Sequence, residues 1–199
     1  MRPVLQRGLV VAVATAGLLA PGMALTATSA AAVTPQAAVT AQALPAYETW
    51  LADVTAVTDQ AAAFLDGRLP GTRTAIVLDI DNTALQSKYQ PYLATPSVLA
   101  LARQAQADGA AVFFVTARPE IIEPVTALNL QAVGYTWADL YTRPTFNFDD
   151  NQTLKTKARI DIERRGYTIV ANIGNSATDL GGGHAERTFK LPDYDGQLD

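Results

Sequence analysis

Three short runs constrain this chain most: Ala75-Ile76-Val77-Leu78, Ala111-Val112-Phe113-Phe114-Val115 and Thr168 to Ile173. Each is almost wholly apolar, rich in β-branched or aromatic residues, and brief. That is the pattern of a strand buried on both faces. Stretches with helical spacing alternate with them. Trp50, Val54, Val57, Ala61, Phe64 and Leu65 recur so as to form one apolar face, closed by Gly67 and Pro70-Gly71. Thr95-Pro96 reads as the N-cap and first residue of a helix reaching to Asp108, with Gly109 closing it. Pro119 opens a helix that closes near Gly134, and Gln152 to Arg165 forms another, with Gly166 behind it. The alternation predicts an α/β fold, a three-layer Rossmann-like parallel sheet with helices on both faces.

The amino-terminal part belongs to a different class of sequence. Residues 1–32 read as a secretory signal peptide. Arg2 and Arg7 make a basic start, Gly8 to Ala20 an apolar run, and Ala30, Ala31 and Ala32 offer small residues for cleavage. The apolar run falls short of the roughly 20 residues that span a bilayer, so no membrane association is expected after cleavage. The arginines are not adjacent, which argues against a twin-arginine signal. The chain has no cysteine, which excludes disulfides and a lipid-modified cysteine. Residues 33–44 carry no charge and no clean period, and read as a flexible leader. Residues 45–199 are expected to be one domain with one core, secreted and loaded with metal outside the cytoplasm. The formal net charge is −4 with no basic run, which disfavours a nucleic-acid polymer as partner. An acidic surface also repels phosphate, so any phosphate site must bring its own local positive charge.

The three strands each lead into polar residues: Asp79-Ile80-Asp81, Thr116, and Gly174-Asn175 with Asp179 beyond. In open α/β sheets the ligand crevice lies at the carboxyl ends of the strands, so these groups are placed to converge. An extended backbone puts Asp79 and Asp81 on one side of the strand. Such a pair repels unless one member binds a cation or holds a proton. One carboxylate then suits coordinating a metal and attacking phosphorus, and the other suits proton transfer. The Thr116 hydroxyl suits a phosphoryl oxygen. Lys155 or Lys157, on different faces of one helix, supplies the positive charge. Asn175 and Asp179 offer oxygens to Mg²⁺. Taken singly, each has an ordinary reading: a turn-capping pair, a helix cap, solvated lysines, Asx turns. His184 sits in a Gly-rich loop, and Ser87 and Ser176 read as turn residues.

In order along the chain, IVLDIDNTAL, AVFFVTARPE, LKTKARIDIERRGY and IVANIGNSATDL resemble the four motifs of the haloacid dehalogenase (HAD) superfamily. They are most similar to its secreted acid phosphatase branch, which includes plant acid phosphatases and vegetative storage proteins. The resemblance implies that Asp79 is a nucleophile forming an aspartyl-phosphate. It makes Asp81 the general acid/base, with its carbonyl on Mg²⁺. Thr116 and Lys155 bind the phosphoryl group, and Asp179 is an acid of the metal site. One position departs from the pattern. The branch usually has Gly-Asp where this chain has Gly174-Asn175, so either Asn175 or Asp179 takes the metal contact. The short gaps from Thr83 to Thr116 and from Thr116 to Lys155 leave no room for a full cap domain. The expected protein is a secreted, Mg²⁺-dependent phosphomonoesterase acting on small phosphomonoesters. The alternative is a secreted binding or storage protein that keeps the fold with little activity.

Overall fold

The computed structural model describes residues 43–69 and 73–199, which belong to one compact unit. The expected signal peptide and nearly all of the expected leader lie outside the described residues. Five strands form one parallel sheet in the order β3-β2-β1-β4-β5. They are β1 (Thr74–Leu78), β2 (Ala111–Pro119), β3 (Asp139–Arg143), β4 (Thr168–Gly174) and β5 (Arg187–Lys190). The helices are α1 (Tyr47–Leu65), α2 (Pro96–Ala107), α3 (Glu123–Ala132), α4 (Asn151–Arg164) and the short α5 (Ala177–Leu180).

Side chains along β1 and β2 alternate between two layers. Ile76, Leu78, Val112 and Phe114 face a core shared with α1, α2 and the end of α3. Ala75, Val77, Phe113 and Val115 face a second core with Ala158 and Ile162 of α4. Both faces of the sheet are thus covered, as the unbroken apolar runs require. Helix α1 buries Trp50, Val54, Thr58, Ala61 and Leu65, one face at helical spacing. Burying each large apolar side chain of this kind contributes about 1.5–3 kcal/mol. Val57 and Phe64, expected on that face, are half-buried at its margin, and Thr58 takes the central position. Trp50 stacks on Tyr89, with ring centroids 4.7 Å apart, so α1 also braces the loop that follows β1.

Several elements differ from the sequence expectation. Strand β2 continues through Thr116 to Pro119, and a 3-10 turn over Glu120–Ile122 intervenes before α3. The edge strands β3 and β5 and the single-turn α5 have no apolar run to announce them. Among the described residues, no helix is long and apolar enough to cross a membrane. The longest connection at the carboxyl ends of the strands, residues 79–95, is built of turns and isolated bridges, and among the described residues there is no large cap. After β3 the chain crosses through α4 to β4, on the other side of β1. The topological switch point therefore falls at the carboxyl end of β1, where Asp79 begins.

Candidate active site

Asp79 still belongs to the ladder through its backbone, its N–H donating to the Ile173 carbonyl at 3.0 Å. The chain then turns sharply, with the Leu85 N–H on the Ile80 carbonyl at 2.8 Å and Asn82 in a left-handed conformation, φ 53°. Asparagine tolerates that conformation better than most residues. Both carboxylates line the same cavity, and each meets a different cation.

Asp79 is buried, and its Oδ1 accepts a hydrogen bond from Lys155 Nζ at 2.7 Å. The same ammonium also donates to Oδ1 of Asp179. Lys155 is 5% exposed, projecting from the buried face of α4. Lys157, on another face, pairs with Asp149 at 2.8 Å, so the structure selects Lys155 of the two. Burial is the main influence on Asp79 and raises its pKa. Lys155 opposes this and Asp179 adds to it, leaving the group pushed up to about 7. For Lys155, burial disfavours the charge, but the two aspartates outweigh it and the lysine is held well above its ordinary value.

Asp81 turns to Arg118, which the sequence reading did not single out. Arg118 Nε donates to Oδ2 at 2.9 Å and Nη2 to Oδ1 at 2.7 Å, a bidentate pair. Ser87, read as a turn residue, donates its hydroxyl to Asp81 Oδ1. Burial works to raise Asp81, but the hydrogen bonds from Arg118 and Ser87 prevail and hold it below the usual carboxylate range. The signal for Arg118 was its place in Thr116-Ala117-Arg118, two residues past Thr116 on one strand. Thr116 is buried. Its Oγ1 accepts from the Arg118 N–H at 3.2 Å, which leaves the hydroxyl proton free to donate.

Asp179 is fixed from three sides. Its Oδ2 accepts from the Ser176 N–H at 2.8 Å in a capping box that starts α5. Its backbone carbonyl accepts from Arg159 Nη1 at 2.7 Å and Asn172 Nδ2 at 2.9 Å. Gly174 makes room for it, since a Cβ there would lie 2.4 Å from the Asp179 side chain. Asn175 is buried. Its Oδ1 accepts from Thr83 Oγ1 at 3.1 Å and its Nδ2 donates to the Leu198 carbonyl at 2.9 Å.

Asp79, Asp81, Thr116, Arg118, Lys155, Asn175 and Asp179 line one open cavity of about 320 Å³. All the residues expected to form the site thus share one pocket. His184 is outside it and pairs with Glu163. Among the described residues, no three acidic or imidazole groups cluster as a ready metal cage. The mixed donor set nevertheless fits Mg²⁺. Asp79 Oδ1 faces Lys155, which leaves its Oδ2 available, and the other candidate donors are carboxylate, amide and backbone oxygens. Mg²⁺ takes such hard oxygens through one or two carboxylates and keeps several waters.

A doubly wound parallel sheet with paired aspartates after its central strand, and a lysine from the following helix layer beside them, defines a HAD-like α/β protein. The family model described as "HAD superfamily, subfamily IIIB (Acid phosphatase)" matches residues 89–197, more than half of the chain, and the chain belongs to that family. Asp79 and Asp81 precede the matched stretch. The stem 28 kDa glycoprotein of Glycine max is 40% identical over 89 residues, covering 42% of this chain and 35% of that protein. Vegetative storage protein 1 of Arabidopsis thaliana is 39% identical over 72 residues, 36% of this chain and 27% of that protein. The matches thus span about a third or less of those relatives. The class C acid phosphatase from Bacillus anthracis shares the fold, with a TM-score of 0.55 at 19% identity over 69% of this chain and 67% of that chain.

Proposed function

We propose that this protein is a Mg²⁺-dependent phosphomonoesterase that works through an aspartyl-phosphate on Asp79. The observation that carries the reading is the division of cations. Lys155 holds Asp79 while Arg118 holds Asp81, in one cavity, so the two carboxylates have separate environments. Groups whose surroundings push their pKa values apart are the mark of separate acid–base roles.

The resting values run opposite to the chemistry. The nucleophile must be ionised and the acid protonated, yet Asp79 is raised and Asp81 lowered. Substrate reverses this. A phosphoryl dianion entering between Lys155, Arg118 and the Thr116 hydroxyl draws Arg118 away from Asp81. Its negative charge then raises the Asp81 pKa and lets that group take a proton. Asp79 attacks phosphorus in line as the bond to the leaving oxygen breaks, and Asp81 gives its proton to that oxygen. Water next attacks the aspartyl-phosphate, losing a proton to Asp81, which frees phosphate and regenerates Asp79. Mg²⁺, held by Asp79, the Asp81 carbonyl and either Asn175 or Asp179, would neutralise charge on the phosphoryl oxygens and keep Asp79 ionised. Lys155, Arg118 and Thr116 do the positioning that such transfers chiefly require. The open cavity gives remote parts of a substrate little to bind, so selectivity among small phosphomonoesters should be modest.

Asp79→Asn tests the assignment with p-nitrophenyl phosphate and Mg²⁺. Hydrolysis should vanish, and undiminished turnover refutes the nucleophile. Asn175 and the storage proteins among the matched relatives favour one second reading, a HAD-fold binding or storage protein. Purified wild type that cleaves no phosphomonoester from pH 4 to 8 with Mg²⁺, Mn²⁺ or Co²⁺ decides for it. Residues 1–32 support export of residues 45–199 as the working domain.

A further inference from the structure

The segment Tyr194 to Asp199 returns to the sheet's carboxyl edge and becomes part of the cavity wall. Leu198 is 1% exposed within the main core, and Leu198 and Asp199 both line the site. The Leu198 carbonyl accepts two side-chain donors, Asn82 Nδ2 at 2.8 Å and Asn175 Nδ2 at 2.9 Å. Both asparagines are 2% exposed. Asn82 belongs to the turn after Asp81 and Asn175 to the end of β4, so one carbonyl joins the nucleophile turn to the fourth motif.

Each amide has its orientation fixed at both ends. Asn82 Oδ1 accepts from the Lys88 N–H at 2.8 Å, and Asn175 Oδ1 accepts from Thr83 Oγ1. A flip of either would set an oxygen against the Leu198 carbonyl. A carboxylate at either position keeps the acceptor but loses the donor, and it places a charge beside a buried carbonyl oxygen. That is costly in a dry environment. The amide at position 175, where the family pattern has an acid, thereby has a physical reason of its own.

We propose that Asn82 and Asn175 are positioning residues forming an amide clamp, which docks the 194–199 segment as a specificity-determining wall of the cavity. The segment's other ties are peripheral. Tyr194 Oη donates to Asp53 at 2.8 Å, and the Leu198 N–H donates to the Asp193 carbonyl at 3.1 Å. Neither tie reaches the catalytic turn: the Leu198 side chain anchors the segment in the core, and the clamp joins its backbone to the turn after Asp81.

Two isosteric variants test this in the full chain, Asn82→Asp and Asn175→Asp, by hydrogen exchange with EDTA present so that metal plays no part. Amides of 193–199 should exchange at least about tenfold faster in both, while those of β1, β2 and β4 keep wild-type rates. Unchanged exchange in both variants overturns the clamp. So does a wild-type segment that already exchanges like free peptide. If Asn175→Asp does not fold, Asn82→Asp decides alone. The wall's effect on specificity rests on the phosphomonoesterase reading. For Asn82→Asp, the ratio of KM values for 1-naphthyl phosphate and p-nitrophenyl phosphate should shift at least about threefold, since a remote contact acts on binding first. Faster exchange with an unchanged ratio overturns the wall's role in specificity. A chain that hydrolyses neither ester refutes the enzyme reading, and the exchange result still decides the clamp.

Discussion

Lys155→Met puts the electrostatics of the site to a test that needs no catalysis. Lys155 is buried between Asp79 and Asp179 and touches an oxygen of each. Methionine fills nearly the same space, so the change is mostly one of charge. Removing one partner from a buried ion pair costs about 3–5 kcal/mol, because it leaves an uncompensated charge in the interior. Part of that cost comes from Asp179 and part from Asp79, and the second part depends on pH. Free aspartate ionises near 3.8, whereas folded Asp79 has been pushed up to about 7. Between those values the folded state holds the extra proton, so stability falls as pH rises through the window. Without the lysine the folded value climbs further, so the fall continues to higher pH in the variant. At pH 5 Asp79 is neutral in both proteins, and the loss, about 3 kcal/mol, comes from the lysine's hydrogen bonds and from Asp179 left without its cation. At pH 8 the wild-type Asp79 is ionised and the variant's is not, which adds about 1.4 kcal/mol for the one pH unit above 7, or a further drop in Tm of about 3–6 °C for a domain of this size. Thermal unfolding of both proteins in EDTA at the two pH values measures the difference. An equal loss at pH 5 and pH 8, or a loss below about 1 kcal/mol at pH 8, refutes the buried-triad argument.

Other outcomes follow from the same geometry. Calorimetry of Mg²⁺ binding at pH 6 should show release of up to one proton, because Asp79 is mostly protonated there and must ionise to bind a cation. A binding enthalpy independent of buffer ionisation at pH 6 contradicts this. Arg118→Ala removes a principal group that lowers Asp81, so the alkaline limb of kcat/KM should move to higher pH while KM rises. A limb that stays in place would mean that Asp81 is not the proton donor. Gly174→Ala pushes a methyl group to within 2.4 Å of the Asp179 side chain and should cost about 1–3 kcal/mol in urea unfolding. Wild-type stability would show that Asp179 can move aside freely.

The parts of this protein legible in sequence are those whose information is local and periodic. The apolar runs ending at Leu78, Val115 and Ile173 state that they are strands buried on both faces, and α1 declares its buried face through Trp50, Val54, Ala61 and Leu65. The edge strands were not legible. Asp139–Arg143 and Arg187–Lys190 each pair along one side and bury little, so no hydrophobic pattern marks them. Their place comes from hydrogen bonds to β2 and β4, the strands before them, and not from any apolar pattern of their own.

The aspartate site divides along the same line. Sequence order placed Asp79, Asp81, Thr116, Lys155, Asn175 and Asp179 at strand ends and on one helix, and the sheet gathers them into one cavity. Which carboxylate meets which cation was decided by the tertiary fold. Helix α4 aims Lys155 at Asp79, and the extension of β2 carries Arg118 to Asp81. The partners of Asn175, from Thr83 to Leu198, lie in segments remote from it in the chain. Sequence alone determines residue type and local conformation. The charge state of a buried group depends on what the rest of the chain places against it, and that is settled only when distant segments pack.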